Sequence, residues 1–365
     1  MATALKIQAI ASGIPHQLFI EPQLSIKKIL GGEPSACQLS AYWYYLQSQK
    51  YQAVKLLLEK RWDFEGAITI LQDWQQLMGW LQKYQVADSG IAQTQNNLQN
   101  ALAVLSVAVD ALNLDIPSAK KHLNDHLHLG ICRDLNQQIS SQSESNILNL
   151  YTRCRLYWDL RQVANFLVSL SSFYEQVLSK LLQIFQGEIF FDNRDNRQEK
   201  WYLDIKRMKQ EMGDKSWQAF FDLEAPYNTK LKYYQVEQDP FFQLVGRPTK
   251  RNFLEVLVSY RQLPQQQGHW QVVLDLLKCL DYWANKRNEM IHQNQGMSLE
   301  RMENLFKREN PDACPPQEIC LVMADICNSE LGIIPKQYRQ RFVGNQADYY
   351  LYTSIRKWAI SELLK

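Results

Sequence analysis

Several familiar signatures are missing from this chain, and each absence excludes a class of protein. Its 7 cysteines (Cys37, Cys132, Cys154, Cys279, Cys314, Cys320, Cys327) are odd in number and never spaced as CxxC. That pattern offers neither a zinc site nor a disulfide framework, so free thiols in a reducing cytoplasm are expected. No apolar run reaches about 18 residues, and no positively charged, cleavable leader opens the chain. The longest candidate, Ala101 to Leu114, is broken by Ser106 and Asp110, so no membrane association is expected. Walker A, GxSxG and GxGxxG sequences are all lacking, which leaves nucleotide hydrolysis and serine hydrolase chemistry without an anchor. Charge of one sign is lacking too. Lys and Arg number 40 against 38 Asp and Glu, a net of +2. Such a balance argues against coating nucleic acid by charge alone, yet allows a local basic cleft. Nothing repeats at a fixed period, which argues against a solenoid.

What remains is the composition of a globular protein, 46% hydrophobic and 21% charged, with 365 residues to bury one large core or two smaller ones. Apolar residues recur at helical spacing in Ala67, Ile70, Leu71, Trp74, Leu77, Met78 and Leu81, and again in Leu98, Leu102, Leu105, Val109 and Leu112. The longest series is Leu160, Val163, Leu167, Leu170, Tyr174, Val177, Leu181 and Ile184, with Gly187 as the expected C-terminal stop. Faces of this kind must bury against each other, and an all-α bundle satisfies them.

Along the chain, residues 1–36 are broken by Pro15, Pro22 and Gly31-Gly32-Glu33-Pro34 and read as a leader or linker remnant. Residues 37–187 read as an N-terminal helical bundle. Residues 188–267, cut by Pro226, Pro240, Pro248 and Pro264, read as a loop-rich insertion, either a flap or a plain connection. Short strands are expected there at "GEIFFDN" or "LKYYQV". Residues 268–365 carry a helix from about Gln271, then helices near Pro316–Leu331 and Gln346–Leu364, and 37–365 is expected to act as one unit.

The sharpest local pattern is Arg287-Asn288-Glu289-Met290-Ile291-His292. An Arg-x4-His match arises by chance about 0.3 times in such a chain, and adding the asparagine lowers this to about 0.02. On a helix, Asn288 and His292 lie within about 40° of each other, with Arg287 about 100° to the side. Val273, Leu276, Leu277, Leu280 and Trp283 or Ala284 would bury the other flank. Histidine moves a proton near neutral pH and arginine carries a planar charge that matches phosphate. Together they fit metal-free cleavage of RNA, in which the 2′-hydroxyl attacks phosphorus. They also fit a solvated helix edge with Arg287 paired to a carboxylate. Lys286 and Asn285 stand beside the trio. Arg153 and Arg155, on the run Thr152-Arg153-Cys154-Arg155, are candidates for holding RNA backbone or for an ordinary solvated helix face. His122, His126 and His128 form H-x3-H-x-H, but Leu123 stands where a zincin has its glutamate. A polar turn before Gly130 fits them better.

Arg287-Asn288-x3-His292 on a helix of an all-helical chain resembles the HEPN ribonuclease signature. The wider chain, over roughly residues 40 to 300, resembles the C-terminal HEPN part of type III CRISPR ancillary ribonucleases. The segments that carry this are Lys50 to Leu71, a helix leading through a Trp-Asp turn to a second helix, and Leu148 to Leu182. The resemblance implies a HEPN-type bundle and a metal-independent endoribonuclease that cuts single-stranded RNA in antiviral defence. It implies a composite site at a homodimer interface, with His292 as acid/base, Arg287 as phosphate stabiliser and Asn288 as orienter. Lys286, Arg153 and Arg155 would be RNA contacts. It also implies activation by cyclic oligoadenylate through a Rossmann-like sensor domain, but that domain is not evident here. Only Leu5–Ala11 suggests a strand before helix begins near Cys37. A HEPN toxin held by an antitoxin, and a non-catalytic helical interaction module, are the alternative expectations.

Overall fold

The computed structural model describes residues 36–83, 90–192, 201–226, 228, 234, 239–261, 264–293, 296–309, 312–344 and 348–365. The expected leader, 1–36, and the possible strand at Leu5–Ala11 therefore lie outside the described residues but for Ala36. Helix dominates: fifteen α-helices and one two-stranded sheet among the described residues. None of these helices is long and apolar enough to cross a membrane.

The chain divides into two compact units, one of residues 1–138 with 351–365 and the other of residues 139–350. The boundary expected at residue 187 falls inside the second.

The first unit begins with α1 (Ala36–Leu56), α2 (Phe64–Lys83), α3 (Gly90–Leu112), α4 (Ile116–Asp125) and α5 (Gly130–Gln138). Between α1 and α2 the chain widens into a π-turn at Leu57–Arg61, then reverses at Trp62, whose φ is 52°. Asp63 caps the new helix by accepting from the Gly66 amide at 2.8 Å, the role an aspartate plays well at a helix start. The Trp-Asp turn expected between two helices is thus present. Ala67, Leu71, Trp74 and Met78 of α2 and Leu98 and Leu105 of α3 are buried, as their spacing predicts. Asp115 caps α4 through the Ser118 amide.

In the second unit come α6 (Gln142–Asp159) and α7 (Val163–Ile184). They are separated at Arg161, which takes a left-handed φ of 57°. Helix α7 is the centre of this unit; Val163, Leu167, Leu170, Tyr174, Val177 and Leu181 are all buried. Its end differs from the expected glycine stop. Gln186 takes the left-handed conformation (φ 52°), whereas Gly187 is needed for space. A Cβ there would meet Leu182 Cδ1 at 2.4 Å and Leu257 Cδ2 at 2.6 Å.

The segment 188–267 departs most from expectation. It contains β1 (Tyr202–Asp204), α8 (Ile205–Met212), α9 (Asp214–Glu224), β2 (Phe241–Gln243), α10 (Arg247–Tyr260) and the first residues of α11 (Pro264–Gln293). The prolines sit at helix starts and connections instead of breaking elements. Pro248 occupies the first turn of α10, where no amide donor is required. The strands pair antiparallel, Leu203 opposite Phe242. The expected strand at "GEIFFDN" is a 3₁₀ turn over Gly187–Phe190, followed by a single bridge from Phe191 to Leu203. Of "LKYYQV" only Tyr234 is among the described residues. Helices α12 (Leu299–Glu309), α13 (Ile319–Asn328), α14 (Lys336–Phe342) and α15 (Tyr350–Glu362) complete the chain.

Candidate functional site

Helix α11 carries the Arg287-Asn288-x3-His292 pattern and begins seven residues before the expected Gln271, at Pro264. Val273, Leu277, Leu280 and Ala284 form its buried stripe. Trp283, fully buried, donates its indole N–H to the Cys314 carbonyl at 2.8 Å. Arg287 follows Ala284 by three residues and Leu280 by seven, so it extends the buried stripe and is itself half-buried. Asn288 and His292 lie in the last turns of the same helix, and their side chains fall outside the described residues.

A second stripe of α11 faces a set of cations. At the start of α10 stand Arg247, Lys250 and Arg251, and opposite them on α7 stand Ser171, Tyr174 and Glu175. Lys250 pairs with Glu175 at 2.6 Å. Its ammonium lies 4.8 Å from the Trp201 ring centre. Arg251 pairs with Asp281 of α11 and also donates to the Tyr174 hydroxyl at 3.3 Å. Burial pushes the Tyr174 phenol up to about 12, so it stays protonated and can accept that bond as a neutral group. Arg247 is only 8% exposed and donates to Ser171 Oγ at 2.8 Å and Asn285 Oδ1 at 2.5 Å. Among the described residues it forms no ion pair. Burial foremost, and in addition the Arg287 charge, hold its guanidinium below the usual arginine range, against opposing pulls from Glu175 and Tyr174.

Helix geometry relates these partners to the motif. Asp281, Asn285, Asn288 and His292 follow one another by 4, 3 and 4 residues, the spacing of one helix face. The positions of Asn288 and His292 thus continue the stripe along which Asp281 and Asn285 meet the α10 cations. Below α10, the buried Glu224 of α9 accepts from Thr249 Oγ1 at 2.6 Å and Asn252 Nδ2 at 2.9 Å. Gly246 precedes α10 with a φ of 83°, a turn that any side chain would strain. These contacts aim Arg247 and hold it.

The other expected site residues lie in different surroundings. Lys286 is buried, 3.5 Å from Glu309 and with its ammonium 4.8 Å from the Tyr282 ring centre. Glu309 also accepts from the Tyr282 hydroxyl at 2.6 Å, and this bond first, then Arg308 and Lys286, bring its carboxyl down to about 2. Arg155 donates to the carbonyls of Phe342 and Asp348, both at 3.2 Å, and stacks 4.2 Å from the Tyr349 ring centre. Arg153 leans over Tyr157 at 5.7 Å. Arg155 thus ties α6 to the segment between α14 and α15.

His122 lies in the last turn of α4, 2.8 Å from Asp110, and His126 and His128 fall in the polar turn expected before Gly130, with His126 Nδ1 2.9 Å from the His122 carbonyl. No group of three or more His, Cys, Asp and Glu among the described residues is placed to hold a metal ion. The six described cysteines are free. Burial pushes Cys132 up to about 11 and Cys314 and Cys320 to about 12, so these are inert thiols and not nucleophiles.

Sequence reading missed Arg247, because nothing local distinguishes it from the other surface-type cations of α10. Compared with protein-family models, curated proteins and solved structures, the chain matches none.

Proposed function

We infer that this chain is a metal-independent endoribonuclease of HEPN type that cuts single-stranded RNA and works as a homodimer in antiviral defence. The observation that carries the reading is the contact of the Arg287-Asn288-x3-His292 helix, through Asn285, with Arg247, a buried arginine without a carboxylate partner. A buried guanidinium with neutral partners against a helix bearing a histidine suits a phosphodiester in transition.

In the reaction, His292 of one protomer takes the proton from the substrate 2′-hydroxyl. The oxygen attacks phosphorus, and the P–O5′ bond breaks as the P–O2′ bond forms. The partner subunit's His292 protonates the departing 5′-oxygen, leaving a 2′,3′-cyclic phosphate and a 5′-hydroxyl. Arg287 stabilises the pentacoordinate phosphorus, and Asn288, one turn before His292, orients it. A single histidine cannot act as base and acid on opposite sides of one phosphorus at once, which is why the two-fold assembly belongs to the reading.

The test is cleavage of end-labelled single-stranded RNA in EDTA. Wild type should leave a cyclic phosphate, and His292→Ala and Arg287→Ala should each slow cleavage by about 10² to 10⁴. Equal cutting by wild type and both variants would place the chemistry elsewhere. Intact RNA with wild type in every assembly state would favour the non-catalytic interaction module.

A further inference from the structure

Arg247 is a costly residue to keep where it is. A guanidinium taken out of water loses several kcal/mol of hydration unless a carboxylate or a full set of acceptors replaces it. Its neighbours Lys250 and Arg251 have such partners in Glu175 and Asp281. Arg247 has two neutral ones, Ser171 and Asn285, and its Nε is buried with no acceptor. Five N–H donors on one guanidinium leave capacity beyond those two bonds. It stands at the first turn of the fourteen-residue α10, where the helix dipole adds positive potential.

Asn285, the acceptor of the Arg247 Nη2 donor, is exposed on α11. An incoming anion would take over the Nη2 donor now given to Asn285 Oδ1, at the head of the stripe that runs on to positions 288 and 292.

We propose that Arg247 forms an anion site that holds an RNA backbone phosphate at the edge of α11 and so sets the strand along the Asn288–His292 stripe. That the anion is an RNA phosphate rests on the ribonuclease reading; the anion site itself rests on Arg247 and its partners. Arg247 is a binding and positioning residue here, with no proton to move.

Asn285 allows a test that spares the fold. Asn285→Asp replaces the Arg247 acceptor with a carboxylate of the same shape, an internal competitor for the anion. The probe is a fluorescein-labelled 2′-O-methyl oligoribonucleotide, which cannot be cleaved, titrated in EDTA by fluorescence anisotropy over a range of salt. Asn285→Asp should raise the melting temperature and weaken binding by about tenfold or more, a split that a purely structural Arg247 would not produce. Arg247→Gln should weaken binding similarly and reduce the slope of log affinity against log salt by about 0.7, one single-strand phosphate contact. Gln271→Glu, with the same charge change about four turns back on α11, should leave affinity within about twofold.

Wild-type affinity and slope in folded Arg247→Gln would overturn the site. So would unchanged binding in Asn285→Asp, which decides the matter even if Arg247→Gln fails to fold. A wild type that does not bind the oligonucleotide overturns it as well. If wild type binds through Arg247 yet leaves unmodified RNA intact, the anion site stands and the ribonuclease reading falls.

Discussion

The two compact units solve the problem of burying helices in different ways. Among the described residues, the first unit buries almost nothing but apolar side chains; Asn97, Thr353 and Glu362 are its buried polar residues. The second buries a long polar series, including Ser145, Asn149, Thr152, Ser171, Glu224, Arg247, Thr249, Asn252, Lys286 and Arg339. An apolar face needs only shape and area, so it is tolerant and inexpensive to specify. A buried polar group needs each partner in place, so it is demanding and is retained where position matters. The difference teaches that the second unit holds particular side chains in particular places, and the greatest concentration of them surrounds α10 and α11.

The comparison can be broken most severely at Trp283. Trp283→Ala should cost about 4 kcal/mol in urea denaturation, because it removes a fully buried ring together with the bond that fixes α11 to the Cys314 carbonyl. RNA cleavage should fall with it, since the motif helix loses its anchor.

An apolar truncation in the first unit gives the contrast. Leu105→Ala, at a fully buried position of α3, should cost about 3 kcal/mol by the same measurement. Below its lowered melting point it should leave oligonucleotide binding unchanged. Loss of binding in this variant would mean that the units do not divide labour in this way.

A smaller effect is expected at the α10–α11 contact. Asp281→Ala leaves Arg251 without its carboxylate, in a pair whose side chains are 13% and 17% exposed. The expected cost is about 2 kcal/mol, below that of a fully buried pair because water still reaches both groups. Anisotropy should also show weaker oligonucleotide binding, as the α10 cations lose their register on α11.

The smallest effect concerns Glu309, the last residue of α12, which faces Lys286 of α11. Its carboxyl sits near 2 because it accepts from Tyr282 and Arg308 and faces Lys286. A depressed carboxylate contributes stability that is fully present above the ordinary carboxylate range and is lost as pH falls through about 2. Carbon-detected NMR should therefore find Glu309 still ionised at pH 4. A midpoint above 4 would show that the cluster around Lys286 is not formed in solution.

Much of this architecture was legible in the residues. The apolar series of α2, α3 and α7 required helices with one buried face, and the turn at Trp62-Asp63, expected from the resemblance over Lys50 to Leu71, is closed in the structure by a capping aspartate. Segment 188–267 was less readable because its helices are short and begin at signals that also mark loops. Asp204 caps α8, and glycines with φ of 86° and 83° lead into α9 and α10. Gly187 shows the same ambiguity from another side: a glycine after a helix reads as a stop, whereas here it leaves room for Leu182 and for Leu257, seventy residues away.

By itself, the sequence determined that α2, α3, α7 and α11 are helical, which face of each must be buried, and that one helix carries arginine, asparagine and histidine within six residues. Those are consequences of local periodicity, and they hold whatever the helices later touch. Tertiary structure alone decided that Glu175 and Asp281 neutralise Lys250 and Arg251, that Arg155 closes α6 onto the Phe342 and Asp348 carbonyls, and that Arg247 is left with the neutral partners Ser171 and Asn285. Charge balance in a buried site depends on which distant residues arrive there, and no spacing along a chain encodes that directly.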